Sequence, residues 1–353
     1  MSLWGIRQNR KENDMDIKGI LYVLPPKTTA RIISFVLSFV IVLTGARIAI
    51  AFENDKTTKQ VTDEEPLVGE ESKDGQEEKP STEVKRKELK VEGAASVGTV
   101  ISAGSAILCD LKNSTVLAEK NMDASIAMRE MSIFMTLIVS VKAINDGKVD
   151  INEYTVCPAS AARSEGYHLS SDVLPIGKRM KIGDLMRCMI YQQGSAFAYT
   201  LAVHISGSEE SFVAKMNEEA KAMGLNATNF ANCTGDQNAS GKTSAYDLAV
   251  IMKYLFKDPI LKQMLCSSEP LTVGYGSGSS VQLVVRNEFF ENYCTESQAK
   301  LDGIIGGKIN TLAQSGWAVI AFNNGESDHV AIIIDSKTPF SDALMLYSAF
   351  ALA

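Results

Sequence analysis

The chain has 353 residues, 45% of them hydrophobic, and a formal net charge of −7. That is enough apolar material for one sizeable core with appendages. The acidic balance, with no Arg/Lys block interleaved with aromatics, argues against a nucleic-acid partner. His168, His204 and His329 are scattered without ligand spacing, so neither a metal nor a cofactor is expected.

Residues 1–31 are polar, and Arg7, Arg10, Lys11, Lys18, Lys27 and Arg31 bias them to the cytoplasmic side of a membrane. The run Ile32–Ala46 is uninterrupted apolar sequence of about 15 residues, or about 21 counted through Arg47 to Phe52. It predicts a single-pass membrane helix over 32–52, with the rest of the chain outside. Ala49-Ile50-Ala51 also fits a small-x-small cleavage site, so a cleaved signal peptide and a secreted product remain the alternative. Residues 53–97 carry alternating charge runs and few large apolar residues. Such a segment cannot bury enough surface to offset its ordering entropy and is expected to be a disordered, solvated tether. The folded domain is expected over 98–353.

Within it, Ser105–Asn121 reads as strand, polar turn, strand, with Asp110–Ser114 supplying the turn. Met131–Asn145 is an apolar helix ended by Gly147. Gly183–Ile205 is a long helical stretch interrupted at Gln193-Gly194-Ser195. Glu209–Met223 is amphipathic and stops at Gly224, and Ser244–Phe256 is a helix capped by Thr243 or Ser244. Two β-rich runs, Gly316–Phe322 and Asp328–Asp335, flank Asn323-Asn324-Gly325, a hairpin signal. Pro339–Phe350 closes the chain as a helix. Strands at both ends with helices between them predict an α+β domain, an antiparallel sheet whose N- and C-terminal strands pair. Cys109, Cys157, Cys188, Cys233, Cys266 and Cys294 form no C-x-x-C pair, and several sit in apolar periodic segments. Most are expected to be buried free thiols, with pairing undetermined.

The ungapped blocks Asn121–Thr136, Leu185–Ser208, Ala222–Gly235, Thr243–Leu255 and Leu301–Phe322, in this order, resemble segments of D-alanyl-D-alanine carboxypeptidases (low-molecular-weight penicillin-binding proteins). Asn121–Thr136 is similar to the segment that holds the family's Ser-x-x-Lys motif, aligned on Asn121, Asp123, Met135 and Thr136. Leu185–Ser208 is similar to the helix carrying Ser-Gly-Asn. Ala222–Gly235 and Thr243–Leu255 resemble two further family segments, and Leu301–Phe322 resembles the strand region bearing Lys-Thr-Gly. The resemblance implies a β-lactamase/transpeptidase-like fold: an antiparallel sheet flanked by helices, with a helical subdomain. It implies a serine nucleophile activated by a lysine one helical turn away, and a cation on an edge strand for the substrate carboxylate.

The reactive positions depart from that pattern. Glu130 and Ile133 stand for the Ser and Lys of the first motif, Gln193-Gly194-Ser195 for Ser-Gly-Asn, and Ile305-Gly306-Gly307 for Lys-Thr-Gly. No residue is therefore assigned a catalytic role. Glu130, Ile133, Gln193, Ser195, Ile305, Gly306 and Gly307 are expected to be vestigial cleft positions, with Glu130 solvent-facing or salt-bridged. Removing a nucleophile or its base in such a site costs on the order of 10⁶-fold in turnover. A membrane-tethered, extracytoplasmic pseudoenzyme of peptidoglycan metabolism is expected, with a stem peptide or a cell-wall enzyme as partner. Its rival is an active serine carboxypeptidase with a relocated nucleophile. Ser132 has Met135 three residues later; Ser297–Lys300 is the literal Ser-x-x-Lys outside the tether and reads as coincidence. Lys242-Thr243-Ser244 reads as a helix start. Lys308 is expected to project away from the face that Ile305 shares, unless the strand is bulged.

Overall fold

The computed structural model describes residues 88–164, 171–235, 240–276, 282–294, 299, 302–311 and 315–352. The expected membrane helix over 32–52, most of the tether, His168, Ser297 and Lys300 lie outside the described residues. Among the described residues, no helix is long and apolar enough to cross a membrane, and no group of three His, Cys, Asp or Glu could hold a metal.

The chain opens with a two-residue strand, β1 (Ala95–Ser96), then the hairpin β2 (Ser105–Asp110) and β3 (Thr115–Lys120), then β4 (Ile126–Ala127). A 3₁₀ turn, Arg129–Ser132, leads into helix α1 (Ile133–Asn145). Next come β5 (Tyr154–Val156), a second 3₁₀ turn, Ala159–Arg163, and β6 (Arg179–Lys181). Helices α2 (Ile182–Tyr191), α3 (Ala196–Ser206) and α4 (Glu209–Ala222) follow. After β7 (Lys242–Thr243) come α5 (Ala245–Lys257), α6 (Pro259–Cys266), β8 (Leu271–Gly274), β9 (Gln282–Val285) and α7 (Glu288–Asn292). Strands β10 (Ile304–Asn310), β11 (Gly316–Asn323) and β12 (Asp328–Ser336), then α8 (Pro339–Phe350), complete the fold.

The principal sheet has six strands in the order β1-β3-β2-β12-β11-β10. Strand β12 pairs antiparallel with β2, so the two ends of the domain meet as expected; the short β1 adds in parallel to β3. Side chains alternate across this sheet with period two. Ile107, Cys109, Trp317, Val319, Val330 and Ile332 join a core with the helices between β3 and β10. Ala106, Leu108, Ala318, Ile320, Ala331 and Ile333 face the opposite way, onto Ala343, Leu346 and Tyr347 of α8. There Phe322 and Tyr347 stack at 4.1 Å between ring centroids. Both faces are thus covered, and by its internal contacts Ser81–Ala353 forms one unit with its own core, the attribute of a segment able to fold alone.

The domain begins earlier than the sequence pattern indicates. Leu89 is buried in the helical core, and Lys90 bridges to Thr115. The Lys253 ammonium of α5 donates to the Glu88 carbonyl at 2.6 Å and to its carboxylate at 2.9 Å. Leu89, Val91 and Val97 are too few and too unevenly spaced among charged and small residues to give a periodic pattern, so the sequence alone places 88–97 in the tether. Five of the six cysteines are buried, and burial pushes the Cys266 thiol up to about 12 and those of Cys109 and Cys188 beyond the ordinary range. These are inert thiols.

Candidate functional site

Retained family-like residues have structural duties. Asn121 sits at φ 47°, a left-handed conformation that asparagine tolerates, and its amide donates to the Gly104 carbonyl. Ser244 caps α5 by accepting the Asp247 N–H, the role expected for Lys242-Thr243-Ser244. Asp247, whose carboxyl burial pushes up, accepts from the Ala227 N–H and the Thr228 hydroxyl, each at 2.8 Å. Asn232 accepts the Gly235 N–H at 2.7 Å, and Thr136 donates to the Cys233 carbonyl. These contacts fasten loop 227–235 to α1 and α5.

That loop bears directly on Glu130. Gly235 has φ +74°, and a Cβ placed there would lie 1.7 Å from the Arg129 carbonyl oxygen and 2.7 Å from the Glu130 Cα. Arg129 itself has φ 47°, unusual for a residue with a long side chain. Its guanidinium donates to the Ser315 carbonyl at 2.9 Å and lies 3.6 Å from the Asp335 carboxylate. The half-buried Glu130 carboxylate accepts the indole N–H of Trp317 on β11 at 3.1 Å. Glu130 therefore departs from the expectation of a solvent-facing or salt-bridged group: its partner is a neutral donor in the sheet. Ile133 is buried, one turn along, at the start of α1.

The α2–α3 break lies where Gln193-Gly194-Ser195 predicted it. Gly194 has φ 141°, Ser195 is buried, and its carbonyl begins α3 by accepting the Tyr199 N–H. Gln192 reaches the Arg286 carbonyl at 2.8 Å, and the Gln193 backbone N–H donates to the Glu288 carboxylate. Phe134 and Phe197 fill the core beneath, with Tyr199 packed against it.

On β10 the alternation slips. Ile304 opposes Phe322, but Gly306 opposes Ala321, so Ile305 is an extra residue. Ile305 packs on the helical core, and Lys308, opposite Val319, shares that face. The bulge that would redirect Lys308 is thus present. Gly306 abuts the Leu265 carbonyl, and Gly307 lies under the Phe289 ring. Lys308 is buried and donates to the Ile190 carbonyl at 3.1 Å and the Gln192 carbonyl at 2.9 Å, at the C-terminal end of α2. Helix C-termini carry partial negative charge, which suits this cation. Burial pulls its pKa down to about 8, against the opposing pull of the Glu288 and Glu130 carboxylates. Glu288 is itself pushed up by burial. The cavity that Lys308 shares with Gln193, Glu288, Asn292 and Tyr293 has a volume of about 40 Å³. That accommodates a few waters at most and is far below the roughly 300 Å³ of small-molecule pockets.

Glu130, Lys308 and the α2–α3 break are thus electrostatically joined, while Ile305, Gly306 and Gly307 are spent on packing. Sequence reasoning missed Trp317 and Glu288, because neither lies in a recognisable motif. Lys308 also makes the pH dependence of the fold testable. Its folded pKa lies below its unfolded value, so between about pH 8 and 10.5 the unfolded chain retains a proton that the folded one has lost. The Lys308 contribution therefore rises with pH across that window, by up to about 3 kcal/mol. Stability of the wild type relative to Lys308→Met, measured by urea unfolding at pH 7 and pH 10, is expected to increase. The alkaline titration of buried thiols cancels in the difference.

The same architecture is found in penicillin-binding proteins. Penicillin binding protein 6B from Escherichia coli superposes with a TM-score of 0.58 at 22% identity, covering 70% of this chain and 78% of that one. A D-alanyl-D-alanine carboxypeptidase from Mycobacterium tuberculosis gives a TM-score of 0.57 at 21% identity over 70% and 90% of the two chains. In sequence, the chain is 32% identical over 238 residues to D-alanyl-D-alanine carboxypeptidase DacF of Bacillus subtilis, and 26% identical over 242 residues to DacC of Escherichia coli. Each match takes in 67% of this chain and 58% of the relative, so the chain spans under two thirds of these proteins' length. Residues 91–318 match the D-alanyl-D-alanine carboxypeptidase family. The chain belongs to that family.

Proposed function

We propose that this domain is a catalytically silent member of its family, held outside the cell membrane by its N-terminal segment and acting in peptidoglycan metabolism as a binding or regulatory module. The observation that carries the reading is the state of the expected reaction centre. Glu130 and Ile133 replace a nucleophile and its base, and the Glu130 carboxylate is engaged by Trp317. A carboxylate at the cleft floor also repels the C-terminal carboxylate of a D-Ala-D-Ala ligand. The cation that would receive such a group, Lys308, is buried against helix carbonyls. A protein partner among cell-wall enzymes therefore fits better than a stem peptide. Ser132, the nearest hydroxyl to Glu130 in sequence, is fully buried with its Oγ unpaired, which speaks against a relocated nucleophile.

The test is incubation of the folded protein with a fluorescent penicillin, followed by denaturing electrophoresis. No covalent adduct is expected. A labelled band that disappears when the protein is boiled beforehand would overturn the reading in favour of an active serine enzyme.

A further inference from the structure

The two-stranded sheet of β5 and β6 presents one face to solvent. Tyr154 opposes Lys181, and Val156 opposes Arg179, while Thr155 and Met180 between them turn inward and are buried. The outer face therefore alternates aromatic, apolar and cationic groups. Arg179 lies 5.5 Å and Lys181 5.8 Å from the Tyr154 ring centroid. Lys178 lies 5.8 Å from the ring of Tyr275, whose hydroxyl donates to the Val173 carbonyl at 3.0 Å. The cations are thus placed over rings. Val156 is 48% exposed and Ile176, just before the strand, 42%. Among the described residues, no carboxylate lies within ion-pairing distance of Lys178, Arg179 or Lys181. The nearby Glu153 is engaged by His204, and Asp184 interacts with Lys181 through space.

We infer that this face is a docking surface for an anionic phospholipid bilayer. Charge complementarity selects an anionic occupant: Arg179 and Lys181 flank Tyr154 on this face, with Lys178 beside the strand over Tyr275, on a chain whose net charge is −7. Exposed Val156 and Ile176 select a bilayer over a soluble polyanion. Apolar side chains flanked by Lys and Arg gain by entering the headgroup boundary, where tyrosine is also favoured. A phosphate-bearing polymer in water would leave those two side chains without a role. The inference depends neither on catalytic competence nor on how the N-terminal segment meets a membrane, and it sets one face of the domain against the bilayer.

The test uses the Ser81–Ala353 unit, which contains both hydrophobic clusters and lacks the N-terminal apolar run. Its sedimentation is measured with vesicles of phosphatidylcholine alone and with vesicles that also contain phosphatidylglycerol. Binding is expected to the mixed vesicles only, and to weaken in high salt. Arg179→Glu with Lys181→Glu is expected to lower partitioning by at least roughly tenfold. Val156→Ser with Ile176→Ser should lower it several-fold while leaving binding to linear polyphosphate unchanged. Circular dichroism and thermal unfolding confirm that each variant is folded; if charge reversal unfolds the unit, Arg179→Gln with Lys181→Gln replaces it. Equal binding to neutral vesicles, no binding, or indifference to the charge substitutions would overturn the inference. So would vesicle binding that ignores Val156 and Ile176 and is fully competed by polyphosphate, the signature of a soluble polyanion site.

Discussion

Trp317→Ala is expected to destabilise the domain by about 3–5 kcal/mol, the range for emptying a large aromatic site in a close-packed core. Trp317 is 1% exposed and stands on the sheet face that meets α1 and its neighbours. Its loss opens a cavity and also strands the Glu130 carboxylate. Trp317→Phe separates the two effects, since it retains most of the ring volume and removes only the N–H. That variant should cost about 1–3 kcal/mol, the penalty for an unsatisfied, partly buried acceptor. A cycle with Glu130→Ala, which removes the acceptor, completes the measurement by urea unfolding. If Glu130 serves the fold, the two substitutions will couple by more than about 0.5 kcal/mol. Strict additivity would instead leave Glu130 without a structural role, and the wider reading of a repurposed centre would lose its main support.

Gly235→Ala should be nearly as damaging, at about 3 kcal/mol, from overpacking plus the cost of a left-handed backbone. The added methyl would meet backbone atoms of Arg129 and Glu130, which cannot rotate aside as a side-chain tip can. Gly224 is the control: its φ is +72°, but nothing lies within 4 Å of the Cβ position. Gly224→Ala should therefore lose only the conformational part, about 1–2 kcal/mol. Equal losses at the two positions in chemical denaturation would mean that loop 227–235 does not clamp the Glu130 turn.

Much of the architecture was legible in the sequence because strong local signals agreed with one another. Two continuous β-rich runs, Trp317–Phe322 and Val330–Ile334, on either side of Asn323-Asn324-Gly325 mark two strands, and Gly147, Gly224 and the Gln193-Gly194-Ser195 break place helix ends. The pieces that escaped notice are short: β5, β6, β8 and β9 have three or four residues each, too few for a periodic pattern. The candidate site was legible in which residues occupy it and opaque in what those residues do. Trp317 lies 187 positions from Glu130, and no local rule connects an indole to a carboxylate at that separation. The inward position of Leu89 was hidden for the same reason, since its contacts are to α5.

The extra residue at Ile305 has a consequence for how this lineage can be compared with its relatives. A bulge uncouples order along the chain from orientation in space: downstream of it, odd and even positions exchange sides of the sheet. The residue that the sequence resemblance sets against the Lys of Lys-Thr-Gly and the residue that supplies positive charge to the same side are then different residues, Ile305 and Lys308. Motif scanning would score this strand as having lost its cation, whereas a map of surface and interior charge would score it as having moved the cation inward by one pleat. Which description governs partner choice depends on geometry that a column of aligned letters does not contain.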